Sequence, residues 1–363
     1  MRTEPAGGQN AMLQVWRIVF ALVIFGHHTQ LLLWGTDAPL LRSGFLGVEF
    51  FFLLAGLLMA ASASEKPCVP AEELGTETWR FLGPKLRRLL PVMLFAFVME
   101  LGVGALLPGH IQPDSWMYYA SRVWDLLFVR TAGFQLDAAE TAVGASCWYL
   151  SAMLLGMLLL YPLLRRYTNV FLHILAPLGA ALLYGYFSGV QGRLKFQMDV
   201  TEQGLCLGLL RGVAGLCVGC CAYMLARWLY RRCAGGGTAV RLLLTGCELG
   251  AFAAALVIMR RCGDSQTDFL VILLLLAGLT VTYSRCSFTA VLSQRCALRW
   301  AGDVTLAFYL NHVVWVRALS LWHIPRPFGW QCAAALGLSV LSTAACLSTL
   351  RLIGAARKRG NRA

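Results

Sequence analysis

The chain is a series of long apolar runs separated by short stretches rich in glycine, proline and charge. A helix needs about 20 mostly apolar residues to cross a bilayer, and ten runs approach or exceed that length. The runs show no residue-by-residue alternation of apolar and polar positions, so the pattern predicts helices and not strands. The predicted spans are 11–34, 44–61, 87–107, 148–164, 170–188, 204–226, 241–259, 267–283, 303–321 and 330–353. We therefore expect an all-α fold, a polytopic membrane bundle of about ten transmembrane helices.

Composition supports a membrane protein. Hydrophobic residues make up 58% of the 363 residues, charged residues only 13%, and the mean hydropathy is +0.65, whereas a soluble domain has about 25% charged residues. We expect one membrane domain over residues 1–363, with no large soluble domain. Arg2 and Glu4 precede the first run and no small-residue cleavage pattern follows it, so the first span should be retained. Segment 113–134 is too polar to span and is predicted to be an interfacial or re-entrant helix.

The distribution of lysine and arginine predicts the orientation of the chain. With the N-terminus placed inside, twenty of the 31 Lys and Arg residues fall in inner segments and nine in outer segments, while Arg17 and Arg211 lie within spans. This bias predicts a multi-pass protein of a bacterial-type cytoplasmic (inner) membrane with both termini in the cytoplasm and residues 354–363 as a basic tail. Since no basic patch lies outside the span flanks, the net charge of +13 does not indicate a nucleic-acid partner.

The thirteen cysteines do not form a recognisable metal or disulfide framework. Cys217, Cys220 and Cys221 have half the spacing of a zinc site, without matching histidine or cysteine ligands. Most cysteines lie inside apolar segments, where we expect them to act as small packing residues. We therefore predict no metal.

Ionisable residues inside the apolar runs are candidates for a functional site, because a charged residue at the centre of a span costs about 2.5–3.5 kcal/mol. The first run carries Arg17 and, about three turns later, His27 and His28. Glu49 lies about five residues inside the next run, and counting along both helices places His28 and Glu49 at similar depth. Polar residues of later runs fall in or near the same layer: Arg211, Trp148, Ser151 and His312.

Six short motifs contain most of these residues. His28 follows Arg17 by eleven positions, and Arg211 opens a glycine-rich run. The other four are Gly-Val-Glu-Phe-Phe-Phe-Leu-Leu-Ala-Gly at 47–56, Lys-Leu-Arg-Arg-Leu-Leu-Pro at 85–91, Trp-Tyr-Leu-Ser-Ala-Met at 148–153 and Tyr-Leu-Asn-His at 309–312.

In this order the motifs resemble those of the multi-span membrane acyltransferases known as the acyltransferase 3 group, which O-acylate extracytoplasmic carbohydrates and related acceptors. The resemblance covers nearly the whole chain. The sequence departs from the family pattern at Ala55, where serine is usual, and at Lys85, where arginine is usual. Lysine keeps the charge but lacks the planar fork of arginine for bidentate phosphate contacts.

The resemblance implies an acyltransferase, of the class that transfers groups other than aminoacyl groups. The expected reaction moves an acyl group from cytoplasmic acyl-CoA, expected to be acetyl-CoA, to a hydroxyl of an extracytoplasmic glycan or small hydroxylated acceptor. A histidine with an ordinary pKa of about 6.5 suits the role of general base or transient acyl carrier, which we assign to His28. Glu49 is expected to orient the imidazole. His27 points about 100° away on the helix and is expected to be a bystander.

The remaining motif residues are assigned to binding. Lys85 and Arg88 share a helix face and are expected to bind the phosphates of CoA. We expect Arg211 to bind the thioester oxygen or to pair with Glu49. The predicted acceptor-side residues are Trp148 and Tyr149 as a sugar-stacking wall, Ser151 beside them, and Asn311 and His312 lining the pore. CoA would then be held at the inner face while its pantetheine arm threads the bundle.

Other interpretations use the same residues. Flanking cations such as Lys85 and Arg88 also serve as membrane anchors, and aromatic residues at span ends also form interface belts. A polytopic transporter or exporter would use His28 and Glu49 as a proton relay without acyl chemistry. A third possibility is a non-catalytic membrane anchor for a partner. The order of the motifs favours the enzyme.

Overall fold

The protein is an all-α bundle, as predicted. The computed structural model describes residues 10–34, 41–106, 122–134, 144–290, 298, 300–322 and 327–360. Within these residues, ten helical segments are long and apolar enough to cross a membrane. In chain order they are α1 (Ala11–Leu33), α2 (Gly47–Ser64), α3 (Leu74–Ala105), α4 (Gly144–Arg166), α5 (the span Thr168–Gln191), α6 (Leu207–Cys233), α7 (Thr238–Arg261), α8 (Thr267–Ser284), α9 (Ala301–Leu321) and α10 (Phe328–Gly360).

Helices α3 and α10 extend into stretches that the sequence analysis placed outside the spans. Helix α3 begins at Leu74, thirteen residues before the predicted start at residue 87. Its first turns are too polar to be recognised by hydropathy, and tertiary contacts hold them: Glu77 lies 3.3 Å from Arg165, and Phe81 stacks on Tyr161 with ring centroids 3.9 Å apart. Helix α10 continues to Gly360 through most of the predicted basic tail. Cations at a helix C-terminus interact favourably with the helix dipole.

The two ends of the bundle differ in their charged residues. We call the end at which α1 begins and α2 ends the basic end, and the opposite end the distal end. At the basic end, buried Arg165 donates hydrogen bonds to the carbonyl oxygens of Ala63, Lys66 and Pro67 at 3.0, 3.3 and 2.9 Å. Ala63 belongs to the last turn of α2, and Lys66 and Pro67 follow directly after its end. Arg165 therefore joins α4 to α2.

Helices α2 and α6 are in backbone contact. A Cβ atom added at Gly219 would lie 2.1 Å from the carbonyl oxygen of Leu53, and one added at Gly56 would lie 2.1 Å from the carbonyl oxygen of Leu216. Small residues commonly allow such close approach between membrane helices. The Cys220 thiol, predicted to be a packing residue, is buried in the same contact and donates to the Gly56 carbonyl at 3.6 Å.

We expect Gly219→Ala to separate α2 from α6, because the new methyl group has no free space. Overpacking of a core typically costs about 1–3 kcal/mol, so the variant should unfold at a lower temperature than the wild type in detergent, followed by tryptophan fluorescence. Gly246→Ala in α7 is the matched control, since its added Cβ would meet no atom within 4 Å. Equal melting of the Gly219 variant and the wild type would contradict the close contact.

Part of segment 113–134 lies outside the described residues. Its later part, 122–134, has a short helix at 122–126 and a 3-10 turn at Arg130–Ala132. Asp125 is buried there and accepts hydrogen bonds from Arg130 at 3.1 Å. Burial raises the pKa of Asp125 above its ordinary value, while the charges of Arg130 and Arg122 act in the opposite direction. This folded segment is packed beside the distal end of α4, where the Thr131 backbone N–H contacts the Ser151 hydroxyl.

Candidate active site

Two histidines from different helices form a direct pair. His28 Nδ1 of α1 lies 2.9 Å from His312 Nε2 of α9. His312 is fully buried and His28 is half-buried. On the other side of its ring, His312 Nδ1 lies 2.8 Å from the carbonyl oxygen of Tyr309 and 3.2 Å from that of Phe308. The His28 ring is therefore held through His312 by the backbone of α9.

For two neutral rings, this chain of contacts is satisfied by one assignment of the tautomers. A carbonyl oxygen only accepts hydrogen bonds, so His312 carries its proton on Nδ1 and has a lone pair on Nε2. The proton between the rings then belongs to His28 Nδ1. His28 Nε2 is left unprotonated, which is the form in which an imidazole acts as a base or a nucleophile.

The structure corrects the expected pairing of His28 with Glu49. Glu49 is fully buried, and its two carboxylate oxygens accept hydrogen bonds from Arg211 Nε and, at 3.0 Å, from the Tyr184 hydroxyl. The reason is the direction in which α2 presents this residue: a Cβ added at Gly215 of α6 would lie 3.5 Å from Glu49 Oε2. Similar depth in the bundle does not bring Glu49 to His28, because the carboxylate faces α6.

Arg211 occupies a fully enclosed site at the distal end. Besides Glu49 it contacts the carbonyl oxygen of Phe196 through Nη1 at 3.1 Å. The guanidinium carbon lies 5.2 Å from the ring centroid of Trp148 and 5.7 Å from that of Phe45. Of the two roles expected for Arg211, pairing with Glu49 is therefore the observed one. Trp148 is buried inside the bundle, against this guanidinium.

A cavity of about 360 Å³ lies among α1, α2, α3, α4 and α9. Its basic portion contains Arg17, Lys85 and Arg88, and its opposite limit contains Tyr149 and Tyr309. The walls between are mainly aliphatic or methionine side chains: Leu54, Ala55, Leu58, Met59, Met153, Met157 and Leu306. Ala55, where the resemblance predicts serine, adds to this apolar wall.

The seam between α1 and α9 connects the cavity to the histidines. A Cβ added at Gly302 would lie 3.1 Å from Arg17 Nη1, and His28 contacts His312 further along the same two helices. Eleven residues are about three helical turns and about 16 Å of rise, so Arg17 and His28 share one face of α1. The histidines lie beyond the cavity wall, with the rings of Tyr309 and His312 centred 5.9 Å apart.

The three cations of the cavity have different partners, and only Arg88 is paired with an acidic side chain among the described residues. Arg88 pairs with Asp303 at 2.6 Å, with both side chains half-exposed. Arg17 donates to the neutral Gln14 amide at 3.0 Å. The Lys85 ammonium lies 3.5 Å from the centroid of the Phe81 ring and has no acidic partner among the residues that the structure describes. The cluster therefore carries positive charge that suits an anionic ligand.

Comparison with known families identifies this architecture. The family model described as "Acyltransferase domain" matches residues 10–350. The chain belongs to the acyltransferase 3 family. Comparison with curated proteins and with solved structures gives no match.

Three other residues of the acyltransferase have packing contacts. The Ser151 hydroxyl accepts a hydrogen bond from the Thr131 backbone N–H at 3.0 Å and fastens segment 122–134 to α4. Asn311 is fully buried in α9 and does not line the cavity. His27, expected to be a bystander to the chemistry, has its Nδ1 3.1 Å from the Leu41 carbonyl oxygen and fastens the connection between α1 and α2.

Two residues of the acyltransferase site lacked an assigned role in the sequence analysis. Arg17 was noted as half of a motif, and Tyr309 as the start of another; both line the cavity. Their helical spacing from the two histidines was the feature of the sequence that could have assigned them to the site. Tyr309 and His312 are three residues apart and therefore share a helix face, as do Arg17 and His28.

Proposed function

We propose that this acyltransferase moves an acyl group, expected to be acetyl, from acyl-CoA to a hydroxyl of a carbohydrate or related hydroxylated acceptor. One observation carries the proposal: a cavity that begins at three cations ends at Tyr149 and Tyr309, and Tyr309 lies one helical turn from His312 of the histidine pair. CoA has a polyanionic head and a long, mostly uncharged arm, which match these two parts of the cavity.

In this proposal the basic end faces the cytoplasm and the distal end faces the acceptor. Lys85 and Arg88 hold the phosphates, and the pantetheine arm lies along the apolar wall. The thioester is then presented toward the distal half, so that CoA itself does not cross the membrane. The bias of Lys and Arg toward the basic end supports this orientation.

His28 performs the chemistry in this proposal. As a base, its Nε2 removes the proton of the acceptor hydroxyl, whose oxygen attacks the thioester carbonyl; the C–S bond breaks, and the CoA thiolate takes up that proton. As a carrier, Nε2 first attacks the thioester carbonyl, the C–S bond breaks and CoA leaves as the thiolate. The acceptor oxygen then attacks the acyl carbon, the bond from Nε2 to the acyl group breaks, and the hydroxyl proton passes to the thiolate. In both routes His312 supports the His28 imidazole through the hydrogen bond at Nδ1.

The test is acyl transfer by the purified protein. Labelled acetyl-CoA is added to the protein in detergent, with and without a panel of short oligosaccharides, and CoA release and labelled products are measured together with CoA binding by calorimetry. CoA binding with CoA release supports the proposal. Absence of CoA binding, with proton-gradient-dependent uptake in vesicles, would favour a transporter. That alternative needs a proton path from His28 to Glu49, whereas Glu49 is paired with Arg211.

We expect Lys85→Met to weaken CoA binding roughly tenfold or more. Hydrogen bonds to charged groups contribute about 1.5–3 kcal/mol, and about 1.4 kcal/mol is a factor of ten in affinity. Arg87→Met is the matched control, because Arg87 has the same charge one residue away, is exposed and does not line the cavity. Calorimetry with CoA measures both. Equal weakening would indicate a general charge effect of the membrane flank and not a phosphate site.

A further inference from the structure

Tyr149 lies on the donor side of the site. Its motif predicts a place in an acceptor-binding wall, whereas its side chain lines the cavity that begins at Arg17, Lys85 and Arg88. It forms the far limit of that cavity together with Tyr309, their ring centroids 5.7 Å apart. A thioester that arrives from the basic portion of the cavity therefore reaches Tyr149 before it reaches the histidines.

The hydroxyl of Tyr149 has an unusually weak partner. It donates to the thioether sulfur of Met153 at 3.4 Å, and a thioether is a poor acceptor. Nearby tyrosines are bound more strongly: the Tyr309 hydroxyl donates to the Ser146 carbonyl oxygen at 3.1 Å, and the Tyr184 hydroxyl to the Glu49 carboxylate at 3.0 Å. A buried hydroxyl normally has a good partner. A carbonyl oxygen of a bound ligand would therefore be a stronger hydrogen-bond acceptor for the Tyr149 hydroxyl than the Met153 sulfur is.

The position of the hydroxyl also suits developing negative charge. Met153 lines the cavity one turn from Tyr149 toward the basic end, so the hydroxyl is directed along the cavity wall. The Arg17 guanidinium lines the same cavity and is close enough to interact electrostatically with Tyr149. A hydrogen-bond donor supported by a nearby cation is the arrangement that stabilises an oxyanion in acyl transfer.

We propose that the Tyr149 hydroxyl donates a hydrogen bond to the carbonyl oxygen of the bound thioester and is a catalytic residue of acyl transfer. When the nucleophile forms its bond to the carbonyl carbon, the C=O electron pair moves onto that oxygen and Tyr149 stabilises it. When the carbonyl re-forms, the C–S bond breaks and the CoA thiolate leaves with the proton taken up by His28. This inference rests on the proposed function.

The first measurement is the turnover of Tyr149→Phe. Removal of one oxyanion donor typically lowers kcat by about 10²–10³-fold, and we expect a loss of this size with the Kd for CoA unchanged, because CoA itself has no thioester carbonyl. Tyr186→Phe in α5 is the matched control: it removes the same atom from a tyrosine that does not line the cavity, and kcat should stay at the wild-type value.

A second measurement isolates the carbonyl contact without turnover. Two inert CoA analogues have the same carbon chain: acetonyl-CoA has a carbonyl group one methylene from the sulfur, and S-propyl-CoA lacks it. The wild type should bind acetonyl-CoA more tightly than S-propyl-CoA, and Tyr149→Phe should lose that preference. An unchanged preference, or an unchanged kcat in Tyr149→Phe, overturns the role of Tyr149 while the proposed function stands. If the wild type binds neither CoA nor either analogue, the proposed function itself fails.

Discussion

His28→Ala is expected to lose acyl transfer by about 10²–10⁴-fold, the range over which a positioned acid–base group contributes to rate. The Kd for CoA should stay near the wild-type value, because His28 does not line the donor cavity. Loss of kcat without loss of CoA binding would separate the chemical step from donor recognition. Single-turnover kinetics with labelled acetyl-CoA and calorimetry with CoA measure the two quantities.

The control for this variant is His173→Ala, which removes an exposed histidine of the fifth span. It should keep both turnover and CoA binding. His312→Ala tests the orientation of the His28 ring: it should lower kcat by less than His28→Ala does, because Nε2 of His28 remains but its ring loses the contact at Nδ1. Full activity of His28→Ala would remove the histidine from the mechanism.

Glu49→Leu is expected to destabilise the fold by about 3–5 kcal/mol, the typical cost of leaving one member of a buried ion pair without its partner. Arg211 is only 1% exposed, so the freed guanidinium has no access to water. Its remaining contacts are the Phe196 carbonyl oxygen and two aromatic rings, which do not neutralise its charge. Thermal unfolding in detergent, followed by tryptophan fluorescence, measures the effect.

The double variant Glu49→Leu with Arg211→Met separates stability from catalysis. Because it leaves no unpaired charge, it should recover most of the lost stability, as replacement of buried ion pairs by apolar residues often does. If Glu49→Leu alone unfolds like the wild type but is inactive, Glu49 acts directly in catalysis, as the sequence motif suggested. A folded and active double variant would confine Glu49 to a structural role.

The sequence was informative about helices because their signal is local. Each apolar run is recognised by its own length and composition, and the start of α1 and the whole of α8 and α9 agree with the predicted spans within two residues. The polar first turns of α3 were missed because their stability comes from α4, through Arg165 and Tyr161. Hydropathy contains no information about such contacts.

The sequence by itself determined that the chain is a multi-span helical protein, that it has the motif order of one acyltransferase family, and that His28 lies inside the first span. Residue counting also gave the depth of each polar group, because helical rise is constant. Only the tertiary structure decided which groups meet. The direction in which a side chain points across the bundle depends on how distant helices pack: the glycine contact between α2 and α6 turns Glu49 toward Arg211, and the seam between α1 and α9 places His312 beside His28.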